Sequence, residues 1–310
     1  MMDNKIIIVT GPTASGKTDL AIKIALQDNF EIINADAMQV YLEIPVITAQ
    51  PNLIERQGVP HWLLGDRLGG EICSVASWLN AAKDRIKDIH QRNKRVILIG
   101  GSGMYIKALV DGINDIPAIS GEVREKSRKL YDSLGKEKFY NFLVSMDHLV
   151  ENKIRPSDMQ RMIRAFEVFE QTGESIFKWQ EKAPRRDFES SRYIMVQTDL
   201  PRAILHQRIN DRFHSMVRNG AIDEAEYVMK KYSDQELPIN KAHGLPELKK
   251  YLQGQYKLEQ AIERGQIITR QYAKRQLTWL RHQMPDIKRV IYRDTEDMSK
   301  ICDSLLKTDF

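Results

Sequence analysis

Only two cysteines occur in the 310 residues, Cys73 and Cys302, far apart and at no metal-ligand spacing. That scarcity argues against a disulfide framework and against a Cys/His zinc site, and the pair reads as small inert residues of a reducing compartment. No apolar run approaches the roughly 18 residues of a membrane span. Residues Met1–Lys5 lead straight into an apolar run, leaving no room for a secretory or transit peptide, so the expected location is cytoplasmic. No Gly-x-Ser-x-Gly elbow is present, which argues against a serine hydrolase. Internal repeats and low-complexity tracts are also missing.

What is present supports a sizeable core: 42% of the residues are hydrophobic, at a length that suits two domains or one domain with a large insert. The formal net charge of +5 is uneven, because residues 241–290 hold eleven Lys and Arg against four Asp and Glu. That stretch carries +7 and the remainder sums to −2. A basic C-terminal region on a near-neutral body points to a polyanionic partner, or to a solvated helix face.

The most specific local signal is Gly11-Pro12-Thr13-Ala14-Ser15-Gly16-Lys17-Thr18, which fits G-x-x-x-x-G-K-[ST]. An apolar run, Lys5–Thr10, precedes it and a helical pattern, Asp19–Gln27, follows it. Backbone N–H groups and a helix N-terminus cradle a diphosphate or triphosphate, Lys17 adds a point charge, and the Thr18 hydroxyl can sit on Mg2+. None of these groups reads what the phosphates are attached to.

Further apolar runs at Phe30–Ala35 and Arg95–Gly100 alternate with helical periods at Val75–Arg92 and Tyr105–Gly112. The expected fold is α/β: a P-loop NTPase-like, doubly wound parallel sheet, with ligands at the carboxyl ends of its strands. The alternation stops near Pro117. Helical patterns over 122–135, 137–147 and 157–173 follow, the last with Ser157 as N-cap and Gly173 as stop. A strand returns at Arg192–Thr198, then helices at Pro201–Arg218, Ala221–Lys231 and Leu258–His282, a strand over 287–294 and a terminal helix. The expected domains are 1–116 with 187–310, a P-loop core with helical, basic C-terminal part, and 117–186, an inserted helical domain.

Asp36, just past the second strand, faces the phosphate loop across the top of such a sheet. It suits a base or a water-mediated Mg2+ ligand, and equally a turn aspartate. Gln39 and Tyr41 beside it suit nucleobase reading, or a plain surface. Ser102 in Gly-Gly-Ser-Gly can bond a ligand or cap the next helix. Arg161 and Arg164 share a helix face, as do Arg208 and Arg212; each pair suits phosphates or structural ion pairs. Trp179, Trp279 and His61 read as packed residues.

These stretches resemble the bacterial tRNA dimethylallyltransferases, also called tRNA isopentenyltransferases. The resemblance rests on "GPTASGKT", "NADAMQVY", "ILIGGSGMYIKAL", "RPSDMQRMIRAFEVFEQTG" and "YAKRQLTWLRH", and extends over nearly the whole chain. It implies that the loop Gly11–Thr18 holds the diphosphate of dimethylallyl diphosphate, with Mg2+ on Thr18. The prenyl group would go to the exocyclic N6 of the adenosine immediately 3′ of the anticodon. By resemblance, Asp36 is the general base, and Asp36, Ala37, Met38 and Gln39 contact the extruded nucleotide. Ser102, where the family usually has Thr, and Arg124 complete the catalytic set. Gln160, Arg161, Met162, Ile163 and Arg164 would contact the tRNA, and the insert would clasp the anticodon stem-loop. The chain is expected to act as a monomer. Three departures stand out: Leu42 and Gln50 replace basic residues, Leu245-Pro246 follows Gly244 where relatives have Tyr-Arg or Tyr-Lys, and Ser102 lacks the methyl of Thr. The rival readings are a P-loop small-molecule kinase using ATP, with Asp36 as base toward a hydroxyl, and an RNA-binding protein with a relic loop.

Overall fold

The computed structural model describes residues 5–184, 193–232, 237–285 and 288–291. Six strands form one parallel sheet: β1 (Ile6–Thr10), β2 (Phe30–Asn34), β3 (His61–Trp62), β4 (Arg95–Gly100), β5 (Tyr193–Asp199) and β6 (Lys288–Ile291), in the order β3-β2-β4-β1-β5-β6. Ile6, Ile7, Ile8 and Val9 are fully buried, the pattern of a strand covered on both faces. The chain winds from β1 to β2 and β3 on one side and to β5 and β6 on the other. The winding therefore reverses at β1, and the carboxyl end of β1 is where such sheets bind ligands.

Helix α1 (Lys17–Gln27) follows β1 and buries Leu20, Ala21, Ile24 and Ala25 against Ile7, Val9, Ile32 and Ile97. Each such side chain is worth about 1.5–3 kcal/mol of burial before chain entropy is charged against it, Ala less. Ser74 caps α2 (Val75–Gln91) by accepting from the Ser77 N–H, and α3 (Gly103–Asp111) leaves β4.

Two compact units divide at Val110/Asp111 and again in the connector before β5. The second unit contains α4 (Gly121–Met146), α5 (Met159–Thr172) and α6 (Ile176–Glu181) around Phe139, Leu143, Met162 and Phe166. Gly135, at φ 69° and ψ 174°, breaks α4 into two pieces, so the two helical patterns read from the sequence are two helices. The N-cap of α5 is Asp158, whose carboxylate accepts from the Arg161 N–H, and not the neighbouring Ser157; Gly173 does end the helix, in a left-handed conformation.

In the first unit β5 is followed by α7 (Arg202–Arg218), α8 (Ala221–Lys231), α9 (Leu245–Leu252) and α10 (Leu258–Gln283). The segment after β2 lies on these helices: Val40, Tyr41, Ile44 and Ile47 share one core with Ala225, Val228 and Leu245. Glu224 on α8 fixes it further, its carboxylate accepting from Val46 N–H at 2.7 Å and Ile47 N–H at 2.9 Å. Among the described residues no helix is long and apolar enough to cross a membrane. The terminal helix expected from sequence, and Cys302, lie outside the described residues.

Candidate active site

The loop between β1 and α1 is held from three sides. The Ser15 hydroxyl lies 2.6 Å from Thr198 Oγ1 of β5, and Thr198 Oγ1 also donates to Thr10 O at 3.3 Å. Gln276 of α10 accepts from the Thr13 N–H at 2.8 Å and donates to Gly101 O at 3.0 Å, so one buried amide joins the phosphate loop to the turn after β4. Arg212 of α7 donates to the Thr13 hydroxyl. Lys17 Nζ donates to Pro12 O at 2.7 Å, bonding its own loop. Burial pushes the Lys17 ammonium down to about 8, with Asp36 opposing that shift and Arg212 adding to it. Burial likewise draws Arg212 down to about 10, offset by Asp36, so both stay largely charged at neutral pH.

Asp36 sits where β2 runs out. Its Oδ1 accepts from the Met38 N–H at 2.9 Å, an Asx turn that fixes the side chain. The turn reading of Asp36 thus holds, and its second carboxylate oxygen is not used by that turn. The Ser102 hydroxyl accepts from the Ala37 N–H at 2.9 Å, and a Cβ at Gly100 would overlap the backbone of Ala35. Glycine at position 100 is therefore what lets the turn after β4 close on the turn carrying Asp36. Burial, then the charge of Asp36, raises the pKa of the Tyr272 hydroxyl, on α10, against the smaller opposing influence of Arg275, Ser102 and Gln276. The His243 ring lies tilted against that of Tyr272, centroids 4.3 Å apart, and burial and Arg275 lower its pKa, keeping it neutral.

Two pockets meet here. A cleft of about 440 Å³ runs over the phosphate loop, bordered by Lys17, Thr18, Gln39, Arg208 and Arg212. A smaller pocket of about 60 Å³ lies beyond, with His243, Tyr272 and several apolar side chains in its wall. Thr13, Asp36, Thr48 and Arg212 line both, so Asp36 stands at the neck.

The structure brings together Gly11–Thr18, Asp36–Gln39 and Ser102 in the first unit. Arg124, Gln160, Arg161, Met162, Ile163 and Arg164 belong to the second. Arg161 and Arg164 are solvent-facing and pair with Asp158 and Glu167 on their own helix. Met162 is a correction: its side chain is fully buried in the core of that unit and cannot reach RNA, while Ile163 packs against the same core. Tyr41 is a second correction. It is 1% exposed and its hydroxyl donates to Glu71 O, so it cannot stack on a base. Gln39 spends its amide donors on Thr48 O and Ala49 O, and Gln50 donates to Tyr41 O, both holding the loop beside the cleft. Sequence reasoning missed Gln276, Thr198 and Glu224 as holders of the site, and singled out Arg212 only as half of a helix-face pair. His61 is packed as expected, its Nδ1 2.8 Å from Val59 O, and Trp279 lies on Gly103.

A parallel α/β sheet with a glycine-rich loop, lysine and threonine at the reversal of its winding is an arrangement in which α/β enzymes commonly bind phosphates. The family is set by the rest of the chain. A family model described as IPP transferase matches residues 39–283, downstream of the loop that many enzymes share. A tRNA dimethylallyltransferase of Ehrlichia chaffeensis is 40% identical over 295 residues, 95% of each chain. One of Wolbachia pipientis is 42% identical over 287 residues, covering 92% of this chain and 95% of that one. The tRNA isopentenylpyrophosphate transferase of Bacillus halodurans superposes with a TM-score of 0.70 at 30% identity, covering 98% of this chain and 96% of that one. A eukaryotic dimethylallyltransferase acting on tRNA gives 0.82 at 29%, covering 98% and 77%. The chain belongs to the IPP transferase family.

Proposed function

We propose that the protein transfers the dimethylallyl group of dimethylallyl diphosphate to the exocyclic N6 of the adenosine immediately 3′ of the anticodon in tRNA, giving N6-isopentenyladenosine. The observation that carries this reading is the position of Asp36, at the neck between the phosphate-loop cleft and a smaller pocket of mixed polar and apolar lining. A carboxylate there meets the carbon next to the diphosphate, where the amine must lose its proton.

The loop amides, Lys17 and Arg212 hold the diphosphate and take up its charge as the allylic C–O bond lengthens. Asp36 accepts the N6 proton. Ser102 keeps the Ala37 amide, and with it the turn of Asp36, in place. Thr18 and Asp36 both face the cleft with oxygen donors of the kind Mg2+ takes. Among the described residues no three His, Cys, Asp or Glu side chains gather, so most ligands of the ion would be diphosphate oxygens and water. When bound, Mg2+ would neutralise the leaving diphosphate. Anticodon-loop bases unstack at modest cost, which suits extrusion of the acceptor into a closed site. Gln160, Arg161 and Arg164, on one helix, are assigned to the RNA, and Arg124 to stabilising the reacting complex; the insert clasps the anticodon stem-loop, and a monomer works in the cytoplasm.

The test is incubation of the protein with bulk tRNA and either labelled dimethylallyl diphosphate or labelled ATP. Label is expected in tRNA from the prenyl donor, with no phosphate released from ATP. Turnover of ATP with no prenylated adenosine in the recovered tRNA would give the loop to a kinase.

A further inference from the structure

The phosphate loop leaves β1 and the turn of Asp36 leaves β2, and β4 stands between these two strands in the sheet. The loop and the turn therefore have no shared ladder, and their separation depends on links over the carboxyl ends. On one side the links come from Ser102. Its N–H donates to Ala35 O at 3.2 Å and its hydroxyl accepts from the Ala37 N–H at 2.9 Å. On the other side Thr10, still within β1, donates to Gly100 O at 3.1 Å, but the loop itself is joined through Gln276. That side chain is 6% exposed. Its Oε1 accepts from the Thr13 N–H at 2.8 Å and its Nε2 donates to Gly101 O at 3.0 Å. Both partners are backbone groups with one role each, so the orientation of the amide is fixed. A Cβ at Gly101 would overlap that nitrogen, so glycine there leaves room for the bond.

We infer, on the strength of the prenyl-transfer reading above, that Gln276 is a positioning residue for the transfer. One amide, carried by α10, sets the separation between the loop that holds the leaving diphosphate and the carboxylate that takes the proton. The chain of contacts runs from Thr13 through Gln276 to Gly101 and Ser102, and from there to Ala37 beside Asp36. The Thr13 N–H is spent on Gln276, so the donor is gripped by the other loop amides, Lys17 and Arg212. Loss of Gln276 thus bears on alignment more than on grip, and a misplacement of about 1 Å can cost about a hundredfold in rate.

The experiment compares wild type with Gln276→Met, Gln276→Glu and Gly101→Ala, each shown by thermal melts to be folded at the assay temperature. Gln276→Met loses both bonds, and Gly101→Ala pushes the amide nitrogen off its carbonyl while leaving Gln276 in the chain. In both, the single-turnover transfer rate at saturating substrates is expected to fall about ten- to a hundredfold. Donor affinity by calorimetry and the KM for tRNA should stay within a few-fold. Gln276→Glu keeps the acceptor for Thr13 and lacks a donor until its carboxyl is protonated, which burial favours. Its rate relative to wild type should therefore recover as pH falls from about 8 to about 6, a ratio from which the titration of Asp36 cancels. Hydrogen exchange reads the tie without turnover: in Gln276→Met the amides of 11–18 and of 35–39 should exchange faster together. An unchanged rate in the folded variants overturns the assignment. So does a loss confined to donor affinity, which would make Gln276 part of the grip, and so does unchanged exchange over 35–39. Wild type that transfers nothing would sink the proposed activity, and the exchange measurement would still decide whether this amide ties the two turns.

Discussion

Asp36 uses one carboxylate oxygen to hold its own turn through the Met38 N–H. An amide at that position keeps a carbonyl oxygen for the same bond. Asp36→Asn should therefore preserve the turn, hold tRNA affinity within a few-fold, and lower the transfer rate by about 10²–10⁴; single-turnover kinetics at saturating substrates check it. Near-normal turnover would remove the carboxylate from the chemistry. Lys17 gives a pH dependence with two opposed signs. Its ammonium is held down at about 8 by burial, so keeping it charged burdens the fold below about pH 8. That burden is relieved as pH rises from about 8 toward the ordinary lysine value. Donor affinity runs the other way, because the charge that meets the diphosphate leaves over the same range. Calorimetry between about pH 7 and 9 should show weakening donor binding and, above pH 8, proton uptake on binding. Affinity that stays level over that range would mean the lysine titrates elsewhere.

Among the elements, the segment after β2 depends most on remote support. Glu224 lends both carboxylate oxygens to the Val46 and Ile47 amides, beside Thr48, which borders both pockets. Glu224→Ala should cost about 1–3 kcal/mol, since two part-buried N–H groups lose their acceptors, and chemical denaturation measures it; an effect within a few tenths would show that water replaces the carboxylate. No local pattern announces Glu224, because its partners lie 178 and 177 residues away. The same holds for Gln276, 263 residues from Thr13. The alternating strands and helices, the phosphate loop and the break at Gly135 were legible, because each is written in periodicity or in residues with narrow backbone chemistry. The two-residue β3 was not, being too short for any period, and α9 begins at Leu245-Pro246, where Gly-Leu-Pro reads as loop although proline is at home in a first helical turn. Tyr41 misled because an aromatic beside a site looks the same in sequence whether it faces the ligand or the core.

For the whole molecule, the excess of positive charge lies in the C-terminal stretch, where Lys274 and Arg275 are exposed on α10. Neutralising both should weaken tRNA binding and flatten its dependence on salt by about one unit of slope per lost phosphate contact; filter binding over a salt series reads this, and an unchanged slope would leave them coating a solvated face. The interleaving of the sheet has a consequence for how the molecule comes to exist. Strand β1 is made well before β5, one of its two neighbours: 188 residues separate Thr10 from Thr198, whose hydroxyl donates to the Thr10 carbonyl. At about 5–20 residues per second, a ribosome needs roughly 10–40 s to deliver the second neighbour. Through that interval the apolar edge of the strand that will carry the phosphate loop waits unpaired, while the helical insert, whose contacts are local, is completed. The nascent chain therefore carries that apolar edge unpaired through the whole interval, and the insert lengthens it.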